Sequence, residues 1–270
     1  MPRDPVELKS IWKVRDGRAT ELSDWMVVEE PLEIRVRGEA LAVIMRTPGH
    51  DIELAAGFSL TEGVVPSFDA IESIRQCQSG EAGEANVVDV TLAPGAGFDP
   101  GRMRRNLMAS AACGLCGKAS LEALATRARP VESGLTVRRE VLASLPGTLL
   151  EAQESFGRTG ALHAAALFDP GGRLRVCRED VGRHNAVDKV VGRMALDGLG
   201  TGDSILLVSG RTSFEILQKA AVAGIPIVCA ISGPTTLAVD TARAFRITLV
   251  NFLRDSDMNI ASCPERVAGI

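Results

Sequence analysis

The pattern of apolar and polar residues divides the chain into a strand-like first part and an alternating second part. Between positions 30 and 92, short runs alternate apolar with polar residues, which is typical of half-buried β-strands. The run EEPLEIRVRGEALAVIMR alternates on both sides of Arg37-Gly38-Glu39 and predicts a β-hairpin with a glycine-containing turn. A short helix is predicted from 52 to about 63, followed by strands over 71–74 and 86–92.

The middle of the chain has helical spacing. The run KASLEALATRARP places apolar residues on one helical face and ends at Pro130. A second helix is predicted over about 138–156, in which Pro146-Gly147 is a candidate break because proline cannot donate the helical hydrogen bond.

From Gly160 onward, strands and helices alternate. The run GALHAAALFDPGGRLRVCRED predicts an antiparallel pair, and it is followed by helices over about 184–196, 213–223 and 235–244. The strands SILLVS, IPIVCAI and RITLVNF lie between and after those helices, which favours a layered α/β sheet whose last strands are parallel. We therefore expect an α/β protein, α+β overall, with a β-rich subdomain over 1–108, a CxxC loop and helix over 109–130, and an α/β domain over 131–270.

Composition and charge exclude some classes of function. Apolar residues make up 46% of the chain, enough for a sizeable core, and the net charge is −4 with no basic stripe, so we expect no nucleic-acid partner. Neither a signal-like start nor a long uncharged apolar window occurs, so we expect no membrane partner and a cytoplasmic location. The six cysteines are too sparse for a disulfide framework and would remain free thiols there.

The run AACGLCGK places Cys113 and Cys116 three positions apart and leaves three chemistries open. A structural zinc site needs further ligands at short spacing, and Cys177, His184 and Cys263 lie in unrelated segments. A thioredoxin-type dithiol needs its CxxC at a helix start after the first strand of a small βαβ fold, whereas this pair lies in the middle of the chain. The sequence therefore argues against both a zinc site and a thioredoxin-type dithiol, without excluding either.

The third possibility is a nucleophilic cysteine that carries sulfur as a persulfide. Gly114 and Gly117 permit unusual backbone angles and close approach by a partner. Lys118 and the start of the following helix would favour the thiolate. The pair then has one carrier thiol and one neighbour that assists or releases the sulfur.

Three strand-to-helix turns carry side chains suited to anions. The densest polar run, CREDVGRHNAVDKVVG, contains Arg183 and His184 at a helix entrance, although a solvated helix end is the alternative explanation. The run VSGRTSFE contributes Arg211, and ISGPTTLAVDTA contributes Ser232. None is a Walker A loop. Three such turns at consecutive strand ends predict a shared site for a phosphorylated, nucleotide-like ligand.

In this order, the runs EPLEIRVRG, MRTPGHDIELAAGFSLTEG, CGLCGK, TGALHAAALF, REDVGRHNAVDKVVG, SGRTSFEI and ISGPTTLAV resemble the formate dehydrogenase accessory sulfurtransferase family, FdhD/NarQ. The resemblance implies a cytoplasmic homodimer with a cytidine-deaminase-like, three-layer C-terminal portion. It also implies sulfur transfer from an IscS-type cysteine desulfurase to the bis(molybdopterin guanine dinucleotide) molybdenum cofactor, or its tungsten analogue. That cofactor then serves the formate dehydrogenase catalytic subunit.

The resemblance also implies roles for individual residues. Cys113 would carry the persulfide, and Cys116 would assist. A GDP-like moiety of the cofactor would bind the stretch FLRDSD, which comprises Phe252, Leu253, Arg254, Asp255, Ser256 and Asp257. Deaminase chemistry is disfavoured because no HxE motif occurs and Ala112, not proline, precedes Cys113. The alternatives are a chaperone that binds cofactor and apoenzyme without sulfur chemistry, and a zinc-binding module.

Overall fold

The computed structural model describes residues 4–77, 86–99, 101, 121–122 and 124–270, so Cys113 and Cys116 lie outside the described residues. The strands are β1 (Val6–Arg15), β2 (Arg18–Val27), β3 (Glu30–Val36), β4 (Glu39–Arg46), β5 (Ile71–Gln76), β6 (Val87–Leu92), β7 (Val137–Arg138), β8 (His163–Phe168), β9 (Leu174–Asp180), β10 (Ile205–Val208), β11 (Ile227–Ala230), β12 (Thr248–Arg254), β13 (Asp257–Ser262) and β14 (Val267–Ala268). The helices are α1 (Asp51–Thr61), α2 (Arg139–Glu151), α3 (Glu154–Thr159), α4 (Arg183–Leu196), α5 (Phe214–Val222) and α6 (Thr236–Ala244).

A six-stranded sheet in the order β13-β12-β11-β10-β8-β9 forms the centre of the fold. Strands β10, β11 and β12 are parallel, and β8, β9 and β13 join them in antiparallel pairs. Helices α4, α5 and α6 cover one face of this sheet, and α2 covers the other. The predicted α/β fold is confirmed, and so is the parallel arrangement of β10, β11 and β12. The apolar runs of β10 and β11 are buried because helices cover both faces.

A four-stranded sheet, in the order β4-β3-β6-β5, contains the predicted β3–β4 hairpin. Its apolar face packs against α1 through Leu54 and Phe58. Helix α1 also packs against α4, where an added Cβ on Gly57 would overlap the backbone carbonyl of Asp188. An added Cβ on Gly192 would likewise overlap the backbone carbonyl of Glu53. The two helices therefore meet backbone to backbone, and α1 joins the two sheets.

Two predicted boundaries are wrong. Helix α2 continues through Pro146 and ends at Glu151, because burial of Leu142, Leu145 and Leu149 outweighs the missing hydrogen bond. The strand ending near Phe252 is not the last one, because the chain turns back and forms β13. The stretch FLRDSD therefore belongs to a β-hairpin.

The hairpin formed by β1 and β2 was not predicted. The Asp16-Gly17 turn, with positive φ at both residues, carries the sequence signal that could have revealed it. Among the helices of the described residues, none combines the length and apolar character needed to cross a membrane.

Candidate functional site

The three predicted anion-suited turns meet at one edge of the central sheet, because β10, β11 and β12 are parallel and their carboxyl ends share that edge. Strand β8 begins at the same edge and β9 ends there. We call this group the carboxyl-edge cluster; it comprises His163, Arg183, His184, residues 209–213 and 231–235, Asn251 and Phe252.

Gly210 is the point where the first two turns come together. An added Cβ at this glycine would lie 3.3 Å from His163 Nδ1 and 3.6 Å from Arg183 Cδ. The preceding Ser209 accepts a hydrogen bond of 2.9 Å from the backbone N–H of Ala164, which holds the turn against β8. Arg211 is exposed at the same turn. Both predicted arginines therefore belong to one local surface.

Buried polar contacts connect the turns that follow β10 and β11. The N–H of Thr212 donates to Gly233 O at 3.3 Å, and the N–H of Thr235 donates to Thr212 O at 3.0 Å. Asn251, buried on β12, donates to Thr212 Oγ1 at 2.9 Å. These bonds fix the turn containing Ser232 relative to the turn containing Arg211.

Phe252 extends the cluster onto β12. Its N–H donates to Ser232 O at 3.2 Å, and its ring lies against Gly233 while remaining 46% exposed. Its φ of 51° is in the left-handed region, where a bulky side chain is unfavourable. An exposed aromatic ring held in this way offers a surface on which a planar base can stack.

The other residues of FLRDSD have different environments. Leu253 is fully buried in the core beside Val250, so it can offer a ligand only its backbone groups. Arg254 pairs with Asp257 across the end of the β12–β13 hairpin, and Asp255 and Ser256 form its turn. The assignment of these four turn residues to a cofactor stays a prediction.

The carboxyl-edge cluster holds buried polar atoms that lack partners. The described residues contain six buried side-chain nitrogen or oxygen atoms without a hydrogen bond, and these include Arg183 Nε, His184 Nε2 and Asn251 Oδ1. Each such atom costs about 1–3 kcal/mol when it is left unpaired in the interior. Their concentration at one edge indicates a place where a polar ligand would supply the missing bonds.

Burial keeps the two histidines of the cluster neutral. Burial, together with the nearby Arg183 and Lys219 charges, lowers the pKa of His184 to about 4. His184 Nε2 lies 3.9 Å from Glu215 Oε2, too far for a hydrogen bond. Burial and the charge of Arg183 also lower the pKa of His163. At neutral pH the positive charge available to an anion is therefore on the arginines.

A buried charge network lies beneath His184 and was missed in the sequence. Lys219 Nζ lies 2.9 Å from Asp188 Oδ2 and 2.6 Å from Glu62 Oε1. Thr61 Oγ1 donates to Asp188 Oδ1 at 2.7 Å. Burial raises the pKa of Asp188 to about 6, although the Lys219 charge opposes the rise. The lysine within the apolar helix run EILQKAAV was the available signal.

Other residues of the polar run that contains Arg183 and His184 are buried and stabilise the fold. Asp180 forms a fully buried ion pair with Lys189 at 2.7 Å and accepts a 2.8 Å hydrogen bond from Asn185. Lys189 also donates to Thr47 O at 3.0 Å. These residues attach the segment before α1 to α4, whereas Arg183 and His184 belong to the candidate site.

Within the described residues, no group of three or more His, Cys, Asp or Glu side chains could hold a metal ion, so Cys177, His184 and Cys263 do not come together. Burial raises the pKa of the Cys177 thiol to about 11 and raises that of Cys229 further. Neither thiol is a good nucleophile at neutral pH. The predicted nucleophile Cys113 lies outside the described residues.

Comparison with known proteins gives consistent matches. The model of the FdhD/NarQ family matches residues 27–268. The chain is 49% identical to the sulfur carrier protein FdhD of Streptomyces avermitilis, over 97% of this chain and 96% of the relative. It is 44% identical to the sulfur carrier protein FdhD of Saccharolobus solfataricus, over 94% and 95% of the two chains.

Among solved structures, the fold is similar to a crystal structure from Desulfotalea psychrophila, of a protein provisionally described as a formate dehydrogenase accessory protein. The TM-score is 0.79 with 25% sequence identity, and the match covers 98% of this chain and 100% of that chain.

Proposed function

Because this chain belongs to the FdhD/NarQ family, we propose that it is a sulfur carrier required for formate dehydrogenase activity. Cys113 accepts sulfur from an IscS-type cysteine desulfurase as a persulfide. It passes the sulfur to the bis(molybdopterin guanine dinucleotide) molybdenum cofactor, or to the tungsten analogue, before that cofactor enters the formate dehydrogenase catalytic subunit. The relatives share the name sulfur carrier protein FdhD, which supports the carrier role. The sulfur donor and the transfer to the cofactor are further parts of our proposal.

One observation carries the cofactor half of the proposal. Unpartnered polar atoms of Arg183, His184 and Asn251 lie at the same sheet edge as the exposed ring of Phe252. A guanidinium group is suited to phosphate, and an aromatic ring is suited to stacking on a base. A guanine nucleotide has both groups, so the cluster supports binding of the GDP-like end of the cofactor.

The sulfur transfer can be written with its atoms and electrons balanced. The Cys113 thiolate attacks the outer sulfur of the desulfurase persulfide, the donor S–S bond breaks, and the donor leaves as a thiolate. Attack of the Cys116 thiolate on the inner sulfur of the Cys113 persulfide then releases the outer sulfur as hydrosulfide, the form in which the bound cofactor would receive it, and leaves a Cys113–Cys116 disulfide. The two thiols supply the two electrons, and a thiol reductant restores the pair.

The segment that follows the cysteine pair is attached to the core of the protein. Leu121 packs against the core and Leu124 is buried in it. Further along the same segment, Arg127 donates to Glu62 O at 2.7 Å, beside the network beneath His184.

Mass spectrometry after incubation with a desulfurase and labelled cysteine tests the proposal. We expect a persulfide on Cys113 that disappears in Cys113→Ala and persists in the control Cys177→Ala. An unlabelled Cys113, or full formate dehydrogenase activity in cells that contain only Cys113→Ala, would refute the carrier role.

A non-catalytic chaperone is the second candidate, because the carboxyl-edge cluster contains no cysteine. This role predicts that Cys113→Ala and Cys116→Ala still restore formate dehydrogenase activity to a deletion strain. Substitution of Arg183 or Arg211 would abolish that activity in both cases. The cysteine variants therefore separate the two candidates.

A further inference from the structure

Asn251 is a polar side chain that is completely buried at the end of β12. The ladder between β11 and β12 ends with the pair Cys229 and Val250, one residue before it. A buried amide is unfavourable unless its donors and its acceptor find hydrogen-bond partners. The partners of Asn251 therefore show which parts of the protein this side chain holds together.

The side-chain amide of Asn251 bonds to two different turns. Its Nδ2 donates to Thr212 Oγ1 at 2.9 Å and to Ser232 O at 3.3 Å. A backbone carbonyl can only accept, so the contact with Ser232 O fixes which end of the amide faces the turns. Thr212 follows β10 and Ser232 follows β11. One side chain on β12 is thereby bonded to the turn after each of the two preceding parallel strands.

Strands β10 and β12 are not neighbours, because β11 lies between them. Two strand spacings, about 10 Å, separate their backbones, which is too far for a backbone hydrogen bond. The bond from Asn251 to Thr212 crosses the end of β11 and reaches the turn that follows β10. Because both side chains are fully buried, water cannot readily replace this bond when it is broken.

The two turns that Asn251 joins carry opposite ends of the proposed nucleotide site. Arg211 directly precedes Thr212 and is exposed, so the position of Thr212 controls where the backbone of Arg211 lies. Gly233 directly follows Ser232 and lies under the exposed ring of Phe252. In the proposed function the arginines hold phosphate and Phe252 holds the base. The first turn therefore belongs to the phosphate end and the second to the base end.

We infer that Asn251 is a positioning residue that sets the distance between the base end and the phosphate end of the nucleotide site. It acts through Thr212 and Ser232, and this role is separate from any contact that its unpartnered Oδ1 makes with a ligand. A ligand held at both ends gains affinity when the spacing of the two ends matches its own length. The inference rests on the nucleotide binding proposed above.

Fragments of GDP test this spacing, because guanosine contains only the base end and inorganic pyrophosphate only the phosphate end. Thr212→Val in the full chain removes the hydroxyl that accepts from Asn251 and leaves Asn251 Oδ1 in place. Its Kd for GDP should rise at least about five-fold, while its Kd for each fragment changes by less than about two-fold. Calorimetry measures GDP binding, and NMR titration measures binding of the two fragments.

Two further threonine variants separate positioning from a general loss of stability. Thr212→Ser keeps the hydroxyl and should bind GDP within about two-fold of the wild type. Thr248→Val is the matched control, because Thr248 is fully buried at the opposite end of β12 and its hydroxyl donates to Cys263 O at 2.8 Å. This control should bind GDP and both fragments like the wild type.

The double variant Thr212→Val/Asn251→Ala should bind GDP no more weakly than Asn251→Ala alone, because the two side chains act through one bond. Equal GDP affinities in Thr212→Val and Thr248→Val would overturn the inference. A loss of guanosine or pyrophosphate binding as large as the loss of GDP binding would also overturn it. A wild type that does not bind GDP would overturn the nucleotide site of the proposed function, and this inference with it.

Discussion

The ring of Phe252 lies directly over Gly233, so that a Cβ at position 233 would come within 2.7 Å of Phe252 Cζ. The contact joins β12 to the turn after β11, and the Phe252 N–H bonded to Ser232 O fixes the same junction. The position of the exposed ring thus depends on the missing side chain of its neighbour.

Gly233→Ala should displace the ring and weaken binding of GDP at least about ten-fold, or about 1.4 kcal/mol, while the protein remains folded. Isothermal titration calorimetry measures the affinity. Gly134→Ala is the matched control, because an added Cβ there has nothing within 4 Å. Equal affinities for GDP in both variants would remove Phe252 from the nucleotide site.

Arg183→Gln should also weaken GDP binding by about ten-fold or more, because the variant lacks the charge and the unpartnered Nε that we assign to phosphate. Arg173→Gln, in the exposed turn between β8 and β9, is the control and should bind like the wild type. If the two variants bind GDP equally well, the phosphate is not held at Arg183.

Gly57→Ala and Gly192→Ala should each lower the free energy of unfolding by about 1–3 kcal/mol or more, because α1 and α4 must separate to admit the methyl group. Gly147→Ala is a control that should raise the free energy of unfolding instead. It lies inside α2 with open space around its Cβ position, so alanine should stabilise by about 0.5–1 kcal/mol. Urea unfolding measures all three, and a neutral Gly57→Ala would contradict the close helix contact.

Lys219→Met should lower the free energy of unfolding by about 3–5 kcal/mol, because it leaves Asp188 and Glu62 buried without their cation. The double variant Lys219→Met/Asp188→Asn should lose less unfolding free energy than the sum of the losses in the two single variants, since the two groups share one network. Urea unfolding of the four proteins completes the cycle. Strictly additive effects would show that the network is not coupled.

Glu53→Gln should reduce stability at neutral pH by about 1–2 kcal/mol, because Glu53 forms a two-bond pair with Arg178. Burial opposes ionisation of Glu53, but His50 and Arg178 outweigh it and lower its pKa to about 2. A lowered folded-state pKa means that the stabilisation is present above the ordinary value of 4.5 and is lost as the pH falls toward 2. The wild-type and variant unfolding free energies should therefore converge over this range, and a constant difference would contradict the pairing.

The sequence by itself determined the alternating part of the fold and the place of the candidate site. Runs such as ILLV and IVCA, separated by amphipathic helices, predicted parallel strands, and parallel strands place their carboxyl ends at one edge. The sequence alone therefore assigns Arg183, Arg211 and Ser232 to a common surface. The pair Cys113 and Cys116 also comes from the sequence, and its role stays a prediction.

Only the tertiary structure decided which polar residues face that surface. Arg183 and Asp180 occur in the same polar run, but Asp180 is buried against Lys189 because α4 is covered by the sheet on one side and by α1 on the other. A helix that is buried on two sides has no polar face that periodicity could reveal. Likewise, Phe252 joins the site through a contact with Gly233, which is distant in sequence and close only after the sheet has formed.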